Sequence, residues 1–206
     1  MEFSKYIVPI YATDGYRGNG FIVNGFLILP YHLLKVSPNK WEVFPSFYFQ
    51  YDGDEYYMET ATHFVRQGHQ KDVENNPNNV RDLLIFKINI CDSDLTLSLD
   101  FDVKEQCLYY GYNEDDRGIL KKEILAMGFI HQQCAVSLVN GLPVELENCM
   151  TCICKFEPGH SGGLVCQNDS IIGMFIRDQS FHSGAFQSMF IKASYILQTI
   201  ENDKKE

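Results

Sequence analysis

Residues Glu157 to Cys166 read EPGHSGGLVC, which places Ser161 between Gly159-His160 on one side and the pair Gly162-Gly163 on the other. A serine in such a setting has two readings. In the first, the glycines only permit a tight turn or bulge, and the serine is incidental. In the second, Ser161 is a nucleophile, and the glycines let the backbone bend so that the amides of Gly159 and Ser161 point at one spot and hold a developing oxyanion. The second reading requires a base elsewhere in the chain to take the serine proton.

The whole-chain totals bound what surrounds this stretch. At 206 residues, 45% of them hydrophobic, the chain can bury one core or two small halves that share an interface. With 12 Tyr and 15 Phe, and with Gly and Pro punctuating many short segments, strands are favoured over helices. A formal charge of -10 repels phosphate backbones and anionic lipid, so neither nucleic acid nor a membrane surface is an expected partner. The first residues, MEFSKYIVPIYATDGYRG, lack a basic region followed by an apolar one, and no apolar run reaches the length of a membrane span, so a cytoplasmic location is expected. Seven cysteines, an odd number in a chain this long, fit reduced thiols better than a disulfide framework.

Along the chain, YIVPIYA, GFIVNGFLILP, WEVFPSFYFQY, EYYMETATHFV and DLLIFKI read as strands, with a hairpin turn at Val23-Asn24-Gly25 and a polar loop from Arg66 to Arg81. After the acidic CDSDLTLSLDFDVKEQ the pattern resumes with CLYYGYN, GILKKEILAMGFI, a hairpin about Asn140-Gly141, GGLVC, IIGMFI and FQSMFIK. The two clusters suggest boundaries at 1–98, 99–192 and 193–206, the last segment being a short amphipathic helix with Tyr195, Ile196, Leu197 and Ile200 on one face.

His32 follows directly on a predicted strand, and Asp82 opens DLLIFKI. Alone, the first reads as a loop histidine and the second as a solvated strand end; buried together, the carboxylate would fix the imidazole tautomer and stabilise the imidazolium. Other constellations are weaker. His131-x2-Cys134 with Cys149-x2-Cys152 has a zinc-like spacing, but residues three apart in a strand face opposite sides, so buried free cysteines are the plainer reading. The acidic clusters YDGDE and CDSD lack the loop of a calcium hand, and the glycines at 15, 18 and 20 do not make a dinucleotide fingerprint. No metal and no cofactor are expected.

Taken together, GNGFIVNGFLILPYH, RDLLIFKI and PGHSGGLVCQNDSIIGMFI stand in the order His, Asp, Ser, and each resembles the matching block of the chymotrypsin-like, trypsin-fold serine peptidases. The resemblance runs from about Tyr6 to Ile200. It implies a mostly β fold of two six-stranded antiparallel β-barrels with a short C-terminal helix. The first barrel would carry His32 and Asp82, and the second Ser161. Carried over, it makes Ser161 the nucleophile, His32 the general base and then acid, and Asp82 the orienter, with the amides of Gly159 and Ser161 as the oxyanion hole. The substrate would be a protein or peptide, bound as an added strand beside GMFIRDQ. The pocket walls would come from Lys155, Phe156 and Glu157 and from Ile176, Arg177 and Asp178. Phe156 implies a small or aliphatic side chain in the pocket, whereas Lys155 at the floor implies an acidic one.

The departures from the family pattern are Pro30-Tyr31 before the histidine, Leu164 where a proline is usual, and His160 before the nucleophile. In the digestive branch an aspartate at that last position pairs with a new N-terminus. His160 cannot do so, and Ile7-Val8 is followed by Pro9-Ile10 rather than two glycines, so the chain looks closer to the HtrA-like, leaderless bacterial type. The oxyanion loop is then set by local packing about Pro158 and Leu164, or by an activating protein partner. Against the peptidase stands a second reading: a catalytically silent trypsin-fold module that holds a peptide without cutting it.

Overall fold

Two-residue turns fold the first half of the chain into hairpins. In the computed structural model, which describes residues 5–37, 42–62, 65–67, 82–90, 97–103, 105–132, 135–139, 142–152, 156–180 and 186–203, β1 (Ile7–Ala12) leads into β2 (Gly15–Val23). Asn24 and Gly25, both with positive φ (48° and 79°), then reverse the chain into β3 (Phe26–Leu29), as the sequence anticipates. Asp52 and Gly53 repeat the device between β4 (Ser46–Tyr51) and β5 (Asp54–Glu59). With β6 (Val65–Gln67) and β7 (Leu83–Lys87) these strands form one antiparallel sheet in the order β5-β4-β1-β2-β3-β7-β6. β3, FLIL, is buried along its whole length, and so are the first four residues of β7, LLIF; continuous apolar runs of this kind mark strands covered on both faces. Arg66 and Gln67, expected to open a polar loop, instead pair with Leu84 and Leu83 in β6; the rest of that expected loop, 68–81, lies outside the described residues.

The second half closes a barrel. β8 (Gln106–Glu114), β9 (Leu120–Gln132), β12 (Cys149–Cys152), β13 (Leu164–Gln167), β14 (Ser170–Ser180) and β15 (Phe186–Lys192) run in the closed order β12-β15-β14-β13-β8-β9. A separate hairpin pairs β10 (Ala135–Val139) with β11 (Leu142–Leu146); Val139 stands opposite Leu142, which leaves two residues for the expected Asn140-Gly141 turn, themselves outside the described residues. The mostly β, double-barrel class is the one expected; its second half is the closed six-stranded barrel foreseen, whereas its first half is a seven-stranded sheet rather than a six-stranded barrel. A helix, Ala193–Asp203, ends the described chain and buries Ala193, Ile196 and Ile200, while Tyr195 and Leu197 are half-buried. No helix among the described residues is long and apolar enough to cross a membrane.

Among the described residues the core forms three clusters. One lies within the first sheet around Ile10, Leu27, Phe49 and Phe86, and one lines the barrel around Tyr109, Phe156, Phe175 and Phe190. The third joins the two halves, packing Phe21 and Ile28 of the first sheet with Leu164, Met174 and Ile191 of the barrel and with Ile196 of the helix. Cys149 belongs to this shared cluster and Cys152 to the barrel lining, so the two thiols face opposite sides of β12, as strand geometry demands. Of the other two residues of the zinc-like spacing, His131 is exposed on β9 and Cys134 lies outside the described residues.

Candidate active site

Strand pairing brings His32 and Asp82 together across fifty residues. β3 and β7 are antiparallel neighbours, with Leu29 opposite Leu84, so the end of one lies beside the start of the other. At the end of β3, Pro30 (φ -65°, ψ 137°) keeps the chain extended and leads into a single 3-10 turn, Tyr31–Leu34. Tyr31, Leu33 and Leu34 are buried, which turns the intervening His32 outward. Arg17 of β2 braces this turn from outside: its Nε donates to the Leu33 carbonyl at 2.9 Å and Nη2 to the Lys35 carbonyl at 2.9 Å. Asp82 then holds His32 at two points. Its Oδ1 accepts the His32 backbone N–H at 2.8 Å, and its Oδ2 lies 2.6 Å from Nδ1. Because a carboxylate accepts but does not donate, Nδ1 carries a proton, and in the neutral ring the Nε2 lone pair is left to face the cleft.

Ser161 arrives from the barrel on two consecutive turns. Glu157-Pro158-Gly159-His160 is closed by the His160 N–H donating to the Glu157 carbonyl at 3.2 Å; Pro in the second place and Gly159 at φ 93° in the third are the signature of a type II turn. Ser161-Gly162 follows, and here the two halves of the molecule touch: the Asn19 N–H donates to the Ser161 carbonyl at 2.7 Å, and Gly162, at φ 84°, lies so close to β2 that a Cβ would sit 1.7 Å from the Asn19 carbonyl oxygen. Ser161, His32, Gly159, Tyr16, Arg17 and Leu33 line one cleft of about 230 Å³. The Ser161 hydroxyl donates to the Ile176 carbonyl at 3.3 Å and is not hydrogen-bonded to His32. Among the described residues the N–H groups of Gly159 and Ser161 have no hydrogen-bond acceptor.

Two residues that sequence reading passed over shape this loop. Asn19 is fully buried; its Oδ1 accepts the Tyr112 N–H at 2.6 Å while Nδ2 donates to the Gly159 carbonyl at 3.1 Å. Tyr16 donates its hydroxyl to the same Gly159 carbonyl at 2.9 Å, and burial pushes that hydroxyl's pKa well above the usual phenol value, which keeps it a donor. The available signal was Asn19 itself, an amide between two glycines entering the apolar run GFIV, since a buried amide requires partners.

The proposed pocket walls separate. Phe156 is buried, its ring stacked on Phe175 at 4.1 Å and meeting Tyr109, Phe190 and His160 edge-on. Glu157 is exposed. Ile176 sends its side chain into the shared core and only its carbonyl toward Ser161, while Arg177 and Asp178 continue β14 opposite Met189 and Ser188. Lys155 lies outside the described residues. Ile7 and Val8, where a processed terminus would be sought, are instead buried strand residues paired with Phe21 and Gly20.

No protein-family model matches the sequence, and no curated protein matches it either. Solved structures do resemble it in fold. The MamO protease domain from Magnetospirillum magneticum superposes with a TM-score of 0.61 at 16% identity, covering 95% of this chain and 96% of that one. Neuropsin, a serine protease of mouse brain, gives 0.64 at 12% identity over 97% and 94% of the two chains. Tobacco etch virus protease complexed with product gives 0.61 at 11% identity over 98% and 80%. At such identities the likeness is one of fold: the chymotrypsin-like architecture of these proteases.

Proposed function

We propose that this chain is a serine endopeptidase that forms an acyl-enzyme on Ser161. The observation that carries the reading is the two-point hold of Asp82 on His32, by backbone N–H and by Nδ1, at the edge of a cleft that Ser161 also lines. Such a hold orients the imidazole and sets its tautomer, so that Nε2 is the basic nitrogen. In the reaction the Ser161 hydroxyl leaves the Ile176 carbonyl and gives its proton to His32 Nε2 as Oγ bonds to the scissile carbonyl carbon. The carbonyl oxygen becomes an oxyanion, held by the Gly159 and Ser161 amides. His32 then protonates the leaving amine as the C–N bond breaks; water, deprotonated by His32, attacks the acyl carbon, and the acid is released as the C–Oγ bond breaks and His32 returns the proton to Ser161. Active-site hydrogen bonds are commonly longer before substrate arrives, which accommodates the separate Ser161 and His32.

The substrate lies extended along β14, where Arg177 and Asp178 offer their backbone. Phe156 and Phe175 fill the space beneath, which favours a small or aliphatic side chain before the cleaved bond over an acidic or bulky one. The same reading assigns residues 1–98 to the half that carries the base and 99–192 to the half that carries the nucleophile, and groups the chain with HtrA-like rather than zymogen-type enzymes. A silent peptide-binding module is the second reading, favoured by the Ser161 hydroxyl being spent on Ile176. A fluorophosphonate probe separates them: labelling that is lost in Ser161→Ala and in His32→Ala, with melting unchanged, supports the peptidase, and no labelling of the wild-type chain refutes it.

A further inference from the structure

We infer that His160 is a positioning residue, which as a neutral imidazole ties the oxyanion turn to β8. The chemistry of its neighbours assigns its protons. The Glu157 backbone N–H lies 3.1 Å from His160 Nδ1, and since a backbone N–H only donates, Nδ1 is bare. Nε2 therefore holds the ring proton and donates it to Asn113 Oδ1 at 3.1 Å. The Asn113 amide cannot be reversed without loss, because its Nδ2 donates to Glu123 Oε1 at 2.8 Å. A chain of donors thus runs from the turn, through a histidine only 5% exposed, to a surface carboxylate on β9.

The consequence for the turn is mechanical. Glu157 and His160 are joined twice, by the backbone bond that closes the type II turn and by the return bond from the Glu157 N–H to the imidazole. The Gly159 carbonyl is held from the other side by Tyr16 and Asn19. Among the described residues, the N–H donors of this turn left without an acceptor are those of Gly159 and Ser161, the pair that an oxyanion needs. The His160 ring also meets Phe156 edge-on at 6.0 Å, so the residue that fills the pocket and the residue that sets the turn share one contact.

This inference rests on the peptidase reading for its catalytic consequence but not for its geometry, and the test uses both. In Ser161→Ala protein, 15N spectra of the imidazoles at neutral pH are expected to show His160 protonated on Nε2 alone, with the Glu157 amide protected from exchange; the opposite tautomer or an imidazolium overturns the inference whether or not the chain is a peptidase. In active protein, His160→Phe keeps the ring and loses both bonds, and it is expected to lower kcat by about 10²–10³-fold, the loss of one oxyanion donor, with KM changed only a few-fold. His160→Asn, whose Oδ1 stands near the former Nδ1, is expected to recover most of that loss, and His160→Gln, which reaches only Asn113, is not. Wild-type kcat in His160→Phe, or equal rescue by Asn and Gln, overturns it. Should His160→Phe fail to fold, the tautomer and the Asn and Gln pair decide.

Discussion

Replacing Gly162 by alanine tests the contact through which Ser161 is delivered to the cleft. Gly162 has φ 84°, and a Cβ there would lie 1.7 Å from the Asn19 oxygen, 2.5 Å from the Asn19 carbonyl carbon and 3.1 Å from Pro30 Cδ. Backbone, not a side-chain tip, is in the way, and it must retreat by roughly 1.5 Å or more to reach van der Waals separation. Asn19 is not free to retreat, being tied to Ser161, Gly159 and Tyr112. The left-handed conformation costs about 1–2 kcal/mol for a residue with a Cβ, and the overpacking about 1–3 kcal/mol. At 2–4 °C per kcal/mol the combined loss lowers the melting temperature by roughly 4–20 °C. A displacement of that size at Ser161, the proposed nucleophile, is also expected to lower kcat by about 10²-fold or more. Gly53→Ala is the control: its φ of 88° carries the same backbone cost, but nothing lies within 4 Å of its Cβ, so it is expected to melt lower by that cost alone, about 2–8 °C, and to keep full activity. Thermal melts and fluorophosphonate labelling rates of the two variants decide the matter. Equal melting losses, with labelling of Gly162→Ala intact, would refute the close approach.

Asp82→Asn can still accept the His32 backbone N–H, but its amide then faces Nδ1 with a donor, which moves the ring proton to Nε2; kcat is expected to fall by about 10⁴-fold with folding unchanged, and a fall of less than tenfold in a peptide assay would contradict the two-point hold. Phe156→Ala removes the ring stacked on Phe175, so cleavage of a peptide library is expected to shift toward larger side chains before the scissile bond, together with a stability loss of about 3–5 kcal/mol. An unchanged library profile would show that Phe156 does not shape the pocket. Burial pushes the Cys107 thiol up to about 11 and the Cys166 thiol up to about 12. Native protein is therefore expected to resist alkylation of both at neutral pH, and prompt labelling by iodoacetamide would count against it. Since these pKa values are raised on folding, their contribution to stability is whole below the unfolded thiol value of about 8.5 and is lost as pH climbs through about 11 and 12. Urea midpoints are accordingly expected to hold steady up to about pH 8.5 and to drop above it.

Much of this protein is written in local pattern. Short apolar runs broken by Asn-Gly and Asp-Gly pairs determine strands and hairpins without help from distant residues, and the order of His32, Asp82 and Ser161 within their blocks is legible because each block is itself a strand with a turn at its end. Pro158 before Gly159 likewise announces a type II turn by its own chemistry. Partnership between residues far apart in the chain is another matter. That Asp82 accepts both hydrogen bonds from His32 depends on β3 lying against β7, and that Asn19 and Tyr16 hold the Gly159 carbonyl depends on the first sheet packing against the barrel. His160 shows the difference most sharply. From the sequence it is a histidine where an aspartate would hold a charged terminus, and the missing charge reads as a missing support. Only the approach of Asn113 on β8, together with the return of the chain to the Glu157 amide, turns that same ring into a neutral bridge, because a hydrogen bond is decided by where donor and acceptor come to rest and not by their distance along the chain.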